Sequence, residues 1–75
     1  MLDHSRDKEL IIAFGKRIRK LRTEKGISTE KLSVLAGIDY RHLSNVELGN
    51  VNTTISTASL IAKGLKIELK DLFDF

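Results

Sequence analysis

The chain has no cysteine and no proline among its 75 residues. Without cysteine, neither a disulfide framework nor a thiolate metal site can staple a fold this small. The two histidines, His4 and His42, stand far apart and give no paired ligand spacing, so neither a metal nor a cofactor is expected. Tryptophan is absent and aromatics amount to three Phe and one Tyr. A proline-free chain rich in Leu, Ile, Ala, Lys and Glu favours helices over a β-sandwich. The longest apolar run, Leu10 to Phe14, is far too short to span a bilayer. It also lacks the small-residue cleavage pattern of a signal peptide. No membrane partner is expected, and the chain reads as soluble and cytoplasmic. No nucleophile–base pair and no glycine-rich phosphate loop is visible, so an enzyme is not expected.

What remains is a single domain that must build its core from helix packing or from dimerisation. A chain of this length buries only about 60% of its unfolded surface. Hydrophobic residues at 41% and charged residues at 31% are nonetheless a globular balance, which excludes a disordered chain. The net charge of +3 is unevenly placed. Lys16, Arg17, Arg19, Lys20, Arg22 and Lys25 crowd one stretch with only Glu24 against them, whereas Lys63, Lys66 and Lys70 are balanced by Glu68, Asp71 and Asp74. Two readings fit this distribution: a first half that faces a polyanion, or a solvated helix face.

Along the chain, residues 1–7 read as a polar, flexible N-terminal arm and 8–75 as the folded domain. A first helix is expected over about Lys8 to Lys25. Ile11, Phe14, Ile18 and Leu21 form its apolar stripe and Gly26 its stop signal. Gly15 inside it costs up to about 1 kcal/mol against alanine, which a close helix contact would explain. Ser28 caps a second helix with Leu32, Leu35 and Ala36 on one face, ending at Gly37. Asp39 caps a third, running to about Leu48, with Leu43, Val46 and Glu47 inward. Gly37, Ile38 and Asp39 alone separate these two, so they meet steeply across a short turn. Thr54 caps a fourth helix to about Gly64, with Ile55, Ala58, Ile61, Ala62 and then Leu65 inward. A short fifth, about Glu68 to Asp74, offers Leu69, Leu72 and Phe73. The fold class is therefore all-α, a compact five-helix bundle.

The stretch from Ile27 to Gly49 (ISTEKLSVLAGIDYRHLSNVELG) resembles the phage repressor and Cro-type (Xre) helix-turn-helix family. The flanks Phe14–Gly26 and Ile55–Phe73 extend the resemblance over nearly the whole chain. Leu32, Ala36, Gly37, Ile38, Leu43, Glu47 and Gly49 stand in family register. The resemblance implies a lambda-repressor-like domain with the motif at about 28–48 and a recognition helix at about 39–48. Tyr40, Arg41 and Asn45 then occupy positions that reach base edges. Arg41 can donate twice to guanine, Asn45 can pair with adenine, and Tyr40 can pack on a thymine methyl or bond a phosphate. Ser28 and Thr29, at a helix N-terminus, suit a phosphate. His42, Ser44, Asn50 and Asn52 are flanking or backbone-contact candidates. Arg22 and Glu47 match a pair that is often a buried salt bridge in the family.

Bland readings stand beside these: Tyr40 as a core-edge aromatic, Arg41, Asn45 and His42 as solvated surface, Arg22 as a phosphate contact. The stretch Asn50 to Thr54 carries no charge, although family members often grip DNA there with Lys or Arg. The implied function is a transcriptional regulator that binds a palindromic double-stranded DNA operator as a homodimer. It would be bacterial or phage-encoded, nucleoid-associated and without a cofactor. Ile12, Ala58, Leu69, Phe73 and Phe75 are candidate apolar surface for a second copy. Restriction-modification controllers and small phage repressors have this build. The alternatives are the antitoxin of a toxin–antitoxin pair, for which no toxin-binding extension is visible, and a protein-interaction module on the same fold.

Overall fold

The computed structural model describes residues 7–75. Four α-helices follow one another: α1 (Lys8–Glu24), α2 (Thr29–Ala36), α3 (Tyr40–Glu47) and α4 (Ile55–Leu65). The expected fifth helix is a five-residue 3-10 turn, Leu69–Phe73, so the bundle has four α-helices and one 3-10 segment. Such short runs are typical of 3-10 geometry, whose hydrogen bonds are poorer. No strand occurs among the described residues. The flexible arm expected at residues 1–7, with His4, lies outside the described residues except for Asp7. Asp7 is the N-cap of α1, accepting from the Leu10 N–H at 3.0 Å.

Each α-helix starts at a short polar side chain that takes up an otherwise orphaned backbone donor. Ser28 Oγ accepts from the Lys31 N–H at 3.0 Å, Asp39 Oδ2 from His42 at 3.1 Å and Thr54 Oγ1 from Thr57 at 3.1 Å. With no proline available, these caps and the glycine turns set the α-helix boundaries, except that α4 runs through Gly64 and ends at Lys66, which itself takes the left-handed conformation at a φ of +60°. Gly37, at a φ of +71°, ends α2 in the left-handed conformation, which costs glycine no Cβ clash. Its turn is closed by the Ile38 N–H on the Ser33 carbonyl at 3.1 Å.

The core is one cluster: Phe14, Ile18, Leu32, Leu43, Val46, Ala58, Ile61, Ala62, Leu65 and Leu72, with Leu21, Ile27, Ile38, Val51 and Ile67 packed at its edge. α2 packs on α4, α1 crosses α3, and the 3-10 turn closes the base against α1 and α4. Two expected inward residues face solvent. Leu35 is exposed on α2, where Ser33 takes the buried place and donates to the Glu30 carbonyl at 2.7 Å. Ile55, the first residue of α4, is 81% exposed. Ala58, a candidate for outer apolar surface, is buried in the core.

The α1–α3 crossing is made possible by Gly15. A Cβ there would overlap the Val46 carbonyl oxygen and come within 2.6 Å of the Glu47 carbonyl oxygen. The two backbones are thus in direct contact, which accounts for a glycine in mid-helix.

Candidate nucleic-acid interface

The turn between α2 and α3 fixes how α3 is presented. Leu43, Val46 and Glu47 are buried and face α1 and α2. At about 100° per residue, Arg41, Asn45 and Leu48 fall on the opposite side. Arg41 is exposed, Asn45 is half-buried, and Leu48 is 56% exposed. Tyr40 is 50% exposed and His42 is exposed, on the two flanks of this face, while Ser44 is half-buried at its edge. The Arg41 side chain has no hydrogen bond or ion pair among the described residues. The helix of eight residues is about 12 Å long, comparable to the width of a DNA major groove.

The base of α3 is tied down by charge. Arg22 grips the Glu47 carboxylate with two bonds, Nε to Oε2 at 2.8 Å and Nη2 to Oε1 at 3.0 Å. Its Nη1 also donates to the Ile27 carbonyl at 2.9 Å. One guanidinium therefore links α1, the α1–α2 turn and the end of α3. The side chains are 12% and 2% exposed, so Arg22 is committed to structure and not offered to a phosphate. Arg19 comes within 3.7 Å of the same carboxylate.

The other candidates are distributed around this face. Ser28 is exposed at the start of α2 with its hydroxyl used as the cap, and Thr29 is half-buried beside it. Asn50 is joined to the α3 face by a side-chain bond to Asn45 at 3.3 Å. Asn52 is exposed and lines an apolar groove of about 210 Å³ between α1 and the start of α4, with Leu10, Ile11, Phe14, Ile55 and Phe73. The uncharged segment after Gly49 is absorbed by the fold: Val51 packs on the core, Thr54 caps α4 and Asn50 bonds to Asn45.

The basic stretch of α1 does not form one face. Arg22 is neutralised, and Arg17 turns to the 3-10 segment, its Nε donating to the Asp71 carbonyl at 3.0 Å. Lys16, Lys20 and Lys25 remain exposed. Sequence reasoning overlooked Leu48, although its spacing from Arg41 and Asn45 carries the signal. The Asn45–Asn50 bond had no signal in the sequence. Among the described residues no cluster of His, Asp and Glu could hold a metal ion.

The helix-turn-helix family model matches residues 18–72 of the chain. The control protein C.BamHI of Bacillus amyloliquefaciens is 32% identical over 65 residues, covering 85% of this chain and 80% of that protein. The control protein C.MunI of Mycoplasma sp is 33% identical over 66 residues, covering 87% and 89%. The crystal structure of the restriction-modification controller protein C.AhdI from Aeromonas hydrophila superposes with a TM-score of 0.82 at 40% identity, covering 84% of this chain and 96% of that one. With its caps, its glycine turn and its α2–α3 geometry in this register, the chain belongs to the phage repressor and Cro-type (Xre) helix-turn-helix family.

Proposed function

We propose that this chain is a transcriptional regulator that binds a palindromic operator in double-stranded DNA as a homodimer, with α3 as the recognition helix. The observation that carries the reading is the face of α3 itself. An exposed arginine without an internal partner, an amide one turn away and an aromatic flank stand on a helix whose other side is locked by the core and by the Arg22–Glu47 pair. Those are the side-chain types that read base edges in the major groove. Tyr40, Arg41 and Asn45 contact bases; Ser28 and Thr29 bind a phosphate; His42, Ser44, Asn50 and Asn52 flank. Similarity to restriction-modification controllers favours a role of that class, acting on the nucleoid in the cytoplasm. No helix among the described residues is long and apolar enough to cross a membrane.

A second copy follows from scale. One helix of eight residues spans only a few base pairs, so useful affinity takes two half-sites about one helical turn apart. Exposed Leu10, Ile55, Leu69, Phe73 and Phe75 supply apolar surface for it. The uncharged Asn50 to Thr54 stretch is the one feature that favours a protein-interaction module, and its packing accounts for that composition.

The test is Arg41→Ala against a duplex selected by the wild type. A loss of about 1–3 kcal/mol confined to one base pair per half-site supports the reading. Unchanged affinity and unchanged sequence preference contradict it.

A further inference from the structure

The outer face of α3 carries an aliphatic side chain among its polar ones. At about 100° per residue, Arg41, Asn45 and Leu48 fall within an arc of about 60°. The buried residues Leu43, Val46 and Glu47 centre about 180° away. Leu48 still has helical backbone, at φ −82° and ψ −6°, and its N–H donates to the Ser44 carbonyl at 3.0 Å. The helix therefore sets the direction of its Cβ. Beyond it the chain turns away. Gly49 adopts a φ of +75° and lies so close to α1 that a Cβ there would come within 2.9 Å of Ile12 Cγ1. The Asn50 N–H closes the turn on the Asn45 carbonyl at 2.9 Å. Leu48 is left as the one exposed aliphatic residue of α3 and its C-cap.

A leucine side chain has no donor, acceptor or charge, so it can bond neither a phosphate nor a polar base edge. The apolar group that the major groove offers is the C5-methyl of thymine. Packing the two together removes both surfaces from water, and this needs no particular polarity of either partner. We propose that Leu48 is a specificity-determining residue that packs on a thymine methyl group of the operator. The contact separates thymine from cytosine, which carries no methyl there. Along the helix axis Leu48 stands about 10 Å beyond Arg41, or about three base pairs. The inference rests on the DNA-binding reading above and deepens it.

The experiment selects duplexes from a random-sequence library with the wild-type chain. Each thymine of the selected site is then replaced singly by deoxyuridine, which deletes the methyl group and keeps the base pair. Affinities are compared for wild type, L48A and L48Q, the second of which keeps length but is polar. At one thymine per half-site, within about three base pairs of the position that R41A relaxes, the wild type should lose about fourfold in affinity, the worth of one buried methyl. L48A and L48Q should bring the thymine-to-uracil ratio there close to one and leave the other positions alone. Each ratio compares two duplexes on one protein, so a change in the folded fraction cancels. With cytosine placed at that position, 5-methylation should restore a similar factor for the wild type and nothing for L48Q.

A sequence-selective wild type whose site holds no thymine, or which no uracil replacement weakens, overturns this proposal and leaves the DNA-binding reading standing. A methyl response that L48A and L48Q leave unmoved belongs to another residue, Tyr40 included, and also overturns it. A wild type that selects no sequence at all removes the reading and the proposal together.

Discussion

Replacing Glu47 with alanine should be among the most damaging single changes to this domain. The Glu47 side chain is 2% exposed and takes two bonds from Arg22, which is itself 12% exposed. Removing the carboxylate leaves a nearly buried guanidinium uncompensated, a situation that costs about 3–5 kcal/mol. Arg22 keeps its bond to the Ile27 carbonyl, which places the loss near the low end, about 3 kcal/mol. A chain of this length has roughly 4–11 kcal/mol of total stability at about 0.05–0.15 kcal/mol per residue. The variant thus gives up a quarter or more of it. For a domain this small each kcal/mol moves the midpoint by about 4–8 °C, so thermal unfolding followed by circular dichroism should show a drop of about 12 °C or more. The double variant R22M/E47L, which removes both charges and keeps apolar volume, should recover most of that loss. A drop below about 5 °C in E47A would mean that the pair behaves as an ordinary surface ion pair, worth under about 1 kcal/mol. A double variant as unstable as the sum of its singles would refute the reasoning from stranded charge.

Gly15→Ala reverses the usual sign of a helix-interior change: alanine gains up to about 1 kcal/mol of helix propensity. That gain is outweighed because the new Cβ meets backbone oxygens of α3 that cannot rotate away, so urea unfolding should show a net loss of about 1–2 kcal/mol. For the dimer, Ile55→Lys places a charge at an 81% exposed position beside the Leu10–Phe73 groove. Its thermal midpoint should stay within about 3 °C of wild type, a surface change being worth about 0.5 kcal/mol. Sedimentation should show at least about tenfold weaker self-association, from burying an unpaired charge in an interface. Unchanged association would move the seam elsewhere.

Much of this architecture is legible in the sequence because the signals are local. Ser28, Asp39 and Thr54 announce helix starts through chemistry that needs no tertiary partner, and all three act as caps. Gly15 was legible as a close contact, though not against which helix. The failures are tertiary. Leu35 has core spacing, yet the buried face of α2 is Leu32, Ser33 and Ala36, with the serine hydroxyl satisfied by the Glu30 carbonyl. Ile55 keeps the period of α4 but, as its first residue, stands exposed. The 3-10 segment has an apolar pattern too short to distinguish its period from that of an α-helix. At the candidate site, residue types and spacing suffice to place Arg41 and Asn45 on one face. The Asn45–Asn50 bond depends on how the chain leaves α3, and Arg17's turn to Asp71 on where the 3-10 segment docks; neither has a sequence period.

Specific, electrostatically assisted DNA binding through α3 underlies the proposed function. Its most direct test is a titration of the wild-type chain against its selected duplex and a scrambled duplex across 50–200 mM salt, a range over which phosphate contacts weaken measurably. Specific binding requires at least about a thousandfold preference for the selected duplex and a linear fall of log affinity with log salt. Equal affinity for the two duplexes, or affinity indifferent to salt, would contradict it.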